Sequence, residues 1–143
     1  NNFHIYAPLS YGDPLYSDSV IAKGNSHFKN NFSALTKLLS PENYYKFLYS
    51  MDIAIFNHNR QQGFGNILAL LYLGKKVFIR SDTTLWEVFE ERNLKVFDTK
   101  KIKDMSFEEL TKFSSIDRKK NHKIVKKEFS QKKCIQEWKA TFF

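Results

Sequence analysis

A row of six polar side chains stands between two apolar runs, and their types suit the binding of an anion. The row, residues 57–62 (NHNRQQ), contains amides, one histidine and Arg60. Gly63 and Gly65 follow, directly before the apolar run 67–73. Glycines let a phosphate approach the backbone closely, and an arginine can donate two parallel hydrogen bonds to it. The stretch therefore predicts a site for a phosphate-bearing ligand.

The flanking residues predict a strand, a helix and a second strand. Residues 53–56 (IAIF) are typical of a strand buried on both faces. Residues 67–73 predict a helix ended by Gly74, and residues 75–80 (KKVFIR) a further strand. A connection of this kind joins parallel strands. The polar loop is thus expected at the carboxyl end of a strand and the amino end of a helix, where anions are favoured.

The glycine pattern is incomplete. Asn66, Ile67 and Leu68 follow Gly65, so the third glycine of the dinucleotide-binding fingerprint is missing, and no GxxxxGK[ST] motif occurs. From the residues alone, two interpretations therefore remain open. The polar loop binds a phosphate, or it only caps its helix.

Polar residues also follow the other predicted strands. Residues 10–12 (SYG) come after the first strand and equally fit a simple turn, and Asp98 and Thr99 follow the fifth. Residues 84–87 (TLWE), after the fourth strand, fit a capping box. Asp82 or Glu87 can accept a hydrogen bond from a ribose hydroxyl or from thymine.

No catalytic residue is identified from a motif. His58 lies in the polar loop and can act as an acid, a base or a hydrogen-bond donor, although orienting the loop is an equal alternative. The other histidines have no partners at metal-ligand spacing, and HExxH and Asp-x-Asp are absent. Cys134, a single cysteine, is interpreted as a packing residue and forms no internal disulfide. We predict neither metal nor cofactor, and expect Arg60 and helix dipoles to stabilise the charge of a leaving group.

The remaining elements predict an α/β fold. Residues 3–9 and 31–36 are expected to be strands, 15–23 a helix, 24–29 a loop, 94–97 a strand, 105–113 a short helix capped by Ser106, and 117–138 one long basic helix. A further helix is expected to start at Ser40 and Pro41. Five strand-helix units in sequence predict a doubly wound, Rossmann-like parallel sheet.

Length and composition indicate one soluble domain. The chain has 143 residues, of which 42% are hydrophobic and 16% aromatic, so extended disorder is not expected. No apolar run approaches the roughly 20 residues of a membrane span, and no signal-peptide pattern stands at the start. We therefore expect a cytoplasmic location. Because the chain begins at Asn1 and enters a core strand almost at once, it is interpreted as cut at a domain boundary.

Positive charge is concentrated in the last third of the chain. Residues 1–99 hold 10 Lys or Arg and 9 Asp or Glu, whereas residues 100–143 hold 13 and 6, and the net charge is +8. Such a tail is commonly a solvated basic helix face, and it also suits an anionic membrane surface. Its basic residues lack interleaved aromatic residues on a sheet and any known nucleic-acid motif, so we predict no nucleic-acid partner.

Residues 56–89 (FNHNRQQGFGNILALLYLGKKVFIRSDTTLWEVF) resemble the bacterial TDP-N-acetylfucosamine:lipid II N-acetylfucosaminyltransferases, a 4-alpha-L-fucosyltransferase-like family. Residues 7–13 (APLSYGD) and 95–99 (KVFDT) match as well, so the resemblance covers roughly residues 5–99. It implies transfer of an N-acetylfucosamine-type sugar from a TDP-sugar to a lipid-linked saccharide, in the synthesis of a bacterial surface polysaccharide such as enterobacterial common antigen.

The resemblance also implies a GT-B architecture, in which two Rossmann-like domains face each other across a cleft. This chain resembles the carboxy-terminal half, with residues 1–116 as the donor-binding domain and 117–143 as a basic helix on this domain or on the missing amino-terminal one. Peripheral contact with the cytoplasmic face of the inner membrane is implied. The chain alone is expected to bind donor without turning it over.

The resemblance assigns donor binding to polar residues after the first, third and fourth strands: Ser10, Tyr11, Gly12, Asn57, His58, Asn59, Arg60, Gln61, Gln62, Gly65, Asn66, Ser81, Asp82, Thr83, Thr84 and Glu87. The alternative is a non-catalytic, flavodoxin-like interaction domain whose polar loop only caps a helix.

Overall fold

The computed structural model describes residues 3–142, which divide into two compact units, Asn1–Tyr44 and Tyr45–Phe143. The first unit contains strand β1 (Ile5–Pro8), helix α1 (Pro14–Phe28), a 3-10 turn (Lys29–Asn31) and strand β2 (Phe32–Leu35). β1 and β2 are parallel, with Ile5 opposite Phe32 and Pro8 opposite Leu35. The two strands predicted at the start are confirmed, each somewhat shorter than predicted.

Helix α1 continues through the segment predicted as the loop 24–29, so that prediction is wrong. Gly24, the first residue of that predicted loop, is buried within the helix. A Cβ atom at this position would lie 2.4 Å from Cζ of Phe32. The glycine is therefore explained by close packing of the helix on β2, a long-range contact that local propensity does not reveal.

Helix α2 (Pro41–Ser50) begins where Ser40 and Pro41 predicted it. The Ser40 hydroxyl accepts a hydrogen bond from the Asn43 amide at 3.3 Å, and Pro41 fills the first helical position, where no amide hydrogen is needed.

The second unit contains two consecutive strand-helix-strand units. Strand β3 (Ile53–Phe56) leads through helix α3 (Phe64–Tyr72) to strand β4 (Lys76–Ile79), and helix α4 (Thr84–Glu91) leads on to strand β5 (Phe97–Asp98). The strands are parallel in the order β3-β4-β5. The parallel unit predicted around the polar loop is confirmed, and α3 ends at Gly74 with φ 71° as expected.

The α/β class is confirmed, but the predicted single doubly wound sheet is not found in full. The described residues form one sheet of two strands and one of three. β5 has two residues because Leu94 and Val96, predicted as its start, are buried without joining the ladder. Burial of β3 on both faces is also wrong, since Ile55 is 54% exposed. β3 is an outer strand of its sheet, whereas the central strand β4 is covered throughout.

The core of the second unit lies around β4. Val77, Phe78 and Ile79 are buried there, and α3 and α4 add apolar side chains that include Ile67 and Phe89. Phe64, at the start of α3, stacks on Phe89 with ring centroids 6.1 Å apart. This packing fixes the direction in which both helices leave the carboxyl edge of the sheet.

A buried lysine at the start of β4 anchors the segment that follows β5. After a 3-10 turn (Thr99–Asp104) comes helix α5 (Phe107–Thr111), which Ser106 and Glu109 close with a reciprocal capping box, so the predicted cap is confirmed. Lys76 is 2% exposed, and its ammonium donates to the carbonyls of Glu109 and Lys112 at 2.6 and 2.9 Å. Burial lowers the pKa of Lys76, and these carbonyls satisfy its charge.

The basic tail forms two helices instead of the predicted single helix 117–138. Helix α6 (Ser115–Glu128) and helix α7 (Gln131–Phe142) are separated at Phe129 and Ser130. The Phe129 ring packs edge-on against Phe64, and the Ser130 hydroxyl accepts a hydrogen bond from the Lys133 amide at 3.2 Å, as a new helix cap. Cys134 lies in α7 and is exposed, so its interpretation as a packing residue is wrong.

The buried side-chain amide of one residue in helix α6 binds the backbone of the second unit. Asn121 is fully buried, and its side chain accepts from the backbone amide of Lys95 and donates to the carbonyl of the same residue, both at 2.8 Å. α6 also packs along α3, where the carbonyl of Tyr72 lies 2.6 Å from Nδ1 of His122.

Candidate functional site

The carboxyl ends of the three strands in the second unit are tied together by side chains. Thr99 donates from its hydroxyl to Oδ1 of Asn57 at 2.9 Å, which joins the end of β5 to the end of β3. Ser81 donates from its hydroxyl to Oδ2 of Asp98 at 2.8 Å, which joins β4 to β5. Burial raises the pKa of Asp98, but the hydrogen bonds from Ser81 and from the Lys100 amide outweigh it and hold that pKa below its ordinary value. Side-chain hydrogen bonds therefore connect the ends of the three strands, and the Asp98 carboxyl group at this edge is ionised.

A small cavity opens at this edge between two arginines. Its polar walls are His58, Arg60 and Gln62 from the loop after β3, together with Arg80 and Thr83 from the loop after β4. Its floor is apolar and is formed by Phe56, Ile67, Ile79 and Leu85. The enclosed volume is about 10 Å³, which is room for about one water molecule. A larger ligand does not fit inside this space and would have to lie over the residues that line it.

The Arg80 guanidinium is paired with a carboxylate. Its Nε and Nη2 donate to the two oxygens of Asp82 at 2.9 and 2.7 Å, and Nζ of Lys100 lies 2.7 Å from the same carboxylate. The hydrogen bonds from Arg80 and Lys100 hold the pKa of Asp82 far below its usual range, and the same pairing raises the pKa of Arg80. Arg80 and Lys100 thus share the Asp82 carboxylate, and the Asp98 carboxylate also acts on both cations.

Helix α3 presents its amino end at the same edge. Gly63 precedes the helix with φ 72°, in the left-handed region that glycine adopts readily, and it has no side chain with which to cap the first turn. A Cβ atom at Gly65, one residue into α3, would meet nothing within 4 Å. The amino end of α3 therefore has no side-chain cap from Gly63, and the first backbone amides of a helix can bind an anion.

Helix α4 is capped differently from the prediction. Thr83, and not Thr84, is the capping residue, because its hydroxyl accepts from the Trp86 amide at 3.4 Å while donating to the carbonyl of Arg80 at 2.9 Å. The box predicted over residues 84–87 is therefore wrong by one position. Thr84 and Glu87 are exposed on α4, and Asn59 and Gln61 are exposed in the loop after β3.

The remaining predicted residues belong to the first unit. Ser10, Tyr11 and Gly12 follow β1 and line an open pocket with residues of α1. That pocket is built entirely from residues 9–36.

Arg80 and Lys100 were missed at the sequence level. Arg80 was counted as the last residue of a strand, but the strand ends at Ile79, and Arg80 stands first in the loop that follows. A charged residue that ends an apolar strand next to a polar loop is the signal that would have found it. Lys100 was counted only as part of the basic tail.

Within residues 3–142, no group of three or more His, Cys, Asp or Glu side chains is placed to hold a metal ion. Over the same range, none of the helices combines the length and apolar character needed to cross a bilayer.

Comparison with known families decides the class of protein. Residues 1–142 match the model of the 4-alpha-L-fucosyltransferase, glycosyl transferase group 56, family. This chain belongs to that family. The predicted membership is confirmed, and so is the prediction of a glycosyltransferase. The match of the fucosyltransferase model extends through the tail after Thr99, beyond the stretch in which the resemblance was first noticed. No solved structure matches the chain.

Proposed function

We propose that this chain holds the diphosphate of a nucleotide-sugar donor at the carboxyl edge of its three-stranded sheet. The observation that carries the proposal is that Arg60 and Arg80, which come from two different loops, line the same small cavity. Guanidinium groups bind phosphate through paired, charge-assisted hydrogen bonds. The open amino end of α3 adds backbone donors of the same polarity.

In this proposal the two arginines stabilise the charge that develops on the leaving diphosphate. Sugar transfer breaks the bond between the anomeric carbon and a phosphate oxygen, so negative charge grows on the phosphate as the bond lengthens. Cations that are already held in place stabilise that charge without reorganising. Arg80 is held in this way by Asp82. His58 lines the same cavity and is the group that would donate a hydrogen bond or a proton there.

The donor is proposed to be a TDP-sugar carrying an N-acetylfucosamine-type sugar, and the acceptor a lipid-linked saccharide, as in surface polysaccharide synthesis. The match to a fucosyltransferase family supports sugar transfer, and the finer identities rest on the motif in residues 56–89. The chain is proposed to be the donor half of a GT-B enzyme, with an amino-terminal domain as its partner. Residues 1–116 would form the donor-binding part and 117–143 a basic tail beside it, at the cytoplasmic face of the inner membrane.

Calorimetric titration with TDP, UDP and GDP tests the proposal. We expect saturable binding of TDP, and a loss of about tenfold or more in affinity on either Arg60→Ala or Arg80→Ala, because each removes hydrogen bonds to a charged group. Arg80→Lys keeps the charge but not the paired geometry, and should also weaken binding. Arg92→Ala is the matched control, since Arg92 is exposed directly after the end of α4 and is not among the residues that line the cavity.

The result that contradicts the proposal is TDP binding that is unchanged in both cavity variants, or absent from the folded wild-type chain. Circular dichroism of each variant establishes that it remains folded.

A further inference from the structure

The first unit has its own pocket, and the chemistry of its walls differs from that of the arginine cavity. It lies at the carboxyl ends of β1 and β2, where Ser10 and Tyr11 follow one strand and Thr36 follows the other. Ser17 and Asp18 of α1 form the facing wall. The volume is about 250 Å³ and the pocket is open to solvent.

Charge makes this pocket unsuitable for a phosphate. None of the described residues that line it is a lysine or an arginine, and the charged group in its wall is the carboxylate of Asp18. The amino end of α1 is already capped, because Asp13 accepts a hydrogen bond from the Leu15 amide at 2.8 Å. A second carboxylate therefore occupies the position at which a helix would otherwise bind an anion.

The same walls suit an uncharged ring that carries hydroxyl groups. Tyr11 is 75% exposed and offers an aromatic face, and Leu9 and Ile21 add apolar surface. A sugar ring has apolar C–H faces for such a surface and a rim of hydroxyls, which can donate to Asp18 and exchange hydrogen bonds with the serine and threonine hydroxyls. The volume lies below the range of about 300–1,000 Å³ that is typical of sites for drug-sized ligands, which favours one ring over a whole nucleotide.

We infer that this pocket binds one uncharged sugar ring, and that Ser10, Tyr11 and Gly12 serve the sugar and not the phosphates. The inference rests on the proposed sugar transfer and assigns the recognition of a sugar ring to Tyr11 and Asp18 in the first unit. The ring is either the sugar of the donor or the terminal sugar of the acceptor, because both present the same hydroxylated surface.

The test is an NMR titration of the ¹⁵N-labelled chain with L-fucose and, separately, with methyl N-acetyl-β-D-glucosaminide. We expect at least one of them to shift the amide signals of Gly12 and Ser17, with a dissociation constant on the order of 1 mM, as is usual for so small a ligand. A response to L-fucose, the sugar in the family description, would favour the donor sugar as the occupant, and a response to the glucosaminide alone would favour a different sugar ring, such as that of an acceptor; both support the inference.

Two variants and a matched control sharpen this test. Asp18→Asn should weaken sugar binding about tenfold, because it removes a charged acceptor, and Tyr11→Ala about fivefold, because it removes the aromatic face. Tyr16→Ala is the control for Tyr11→Ala. Tyr16 is also exposed, at 68%, and lies on α1, but it is not among the residues that line the pocket.

The results that would overturn this inference are different from those that would overturn the proposed function. If TDP binds through Arg60 while neither sugar shifts these amides, the inference is overturned and the proposed function stands. Sugar binding that is unchanged in Tyr11→Ala and Asp18→Asn also overturns the inference. If the sugar titration succeeds and no nucleotide binds, the diphosphate site is overturned and the sugar pocket stands.

Discussion

Asp82 is paired with two cations at the carboxyl edge of the three-stranded sheet. Both of its oxygens accept from Arg80, and Lys100 contacts one of them. Its predicted hydrogen bond to a ribose hydroxyl or to thymine stays a prediction. The arrangement keeps the Arg80 guanidinium beside the cavity in one orientation. Asp82 is therefore a positioning residue for the proposed phosphate site.

The lowered pKa of Asp82 makes a prediction about stability and pH. A carboxyl whose pKa is lower in the folded state stabilises the fold above its unfolded pKa of about 4, and this stabilisation is lost as pH falls toward the folded pKa. We therefore expect Asp82→Asn to lower the free energy of unfolding at pH 7, and the difference from wild type to shrink below about pH 4. Urea denaturation at a series of pH values measures it.

The control for this experiment is Arg80→Ala, which removes the first cause of the shift and should flatten the pH profile in the same way. The effect should also decrease at high salt, because the pair is solvent-accessible. If the free energies of unfolding of wild type and Asp82→Asn change with pH in the same way, the lowered pKa of Asp82 is contradicted.

Helix α1 shows how a local signal is overruled by packing. Gly24 favours a break in the helix by propensity, yet α1 continues to Phe28. The helix tolerates the glycine because the ring of Phe32 occupies the space that a Cβ atom would need. The opposite holds at Phe129 and Ser130, where the helical pattern continues but the ring of Phe129 packs on Phe64 and the chain restarts a helix at a new cap.

We predict that Gly24→Ala destabilises the fold by about 1–3 kcal/mol, because the new methyl group forces the Phe32 ring to shift. Chemical denaturation measures this, and Phe32→Leu in the same chain should recover part of the loss. Gly65→Ala is the matched control, because a Cβ atom there meets nothing within 4 Å and alanine favours the helix. A Gly24→Ala variant as stable as wild type would show that the close packing against Phe32 is not required.

Apolar burial is distributed unequally along the chain. Among the residues that the structure describes, the buried apolar side chains all belong to the unit Tyr45–Phe143, around β4, α3 and α4. In the unit Asn1–Tyr44, the paired strands β1 and β2 carry partly exposed side chains throughout. Because burial of apolar surface is the main stabilising term, the two sheets should differ in local stability.

Hydrogen exchange measures this difference directly. We expect the amides of Val77 and Phe78 in β4 to exchange at least about 100-fold more slowly than those of Ser33 and Ala34 in β2, although both strands lie in parallel ladders. Mass spectrometry of exchanged peptides, or NMR, resolves the two segments. Equal protection in both would mean that the chain opens as one cooperative unit.

The features predicted correctly from the sequence are those that neighbouring residues specify. These features are the parallel unit around residues 57–62, the helix starts at Pro41 and after Ser106, and the helix end at Gly74. All of them depend on contacts within a few residues, so the sequence pattern predicts them without knowledge of the tertiary structure. The motif in residues 56–89 also predicted the family, and the match to the family model confirms it.

The wrong predictions concern positions whose structure depends on residues that are distant in the sequence. Gly24 is explained by contact with Phe32 and the break in the tail by contact with Phe64, and neither partner is specified by spacing along the chain. The proposed phosphate site has the same origin. Arg60 was visible in its loop, but its pairing with Arg80 arises because parallel strands bring loops from separate segments to one edge. Local chemistry can be read from the order of residues, whereas the assembly of a site requires the long-range packing that places those residues together.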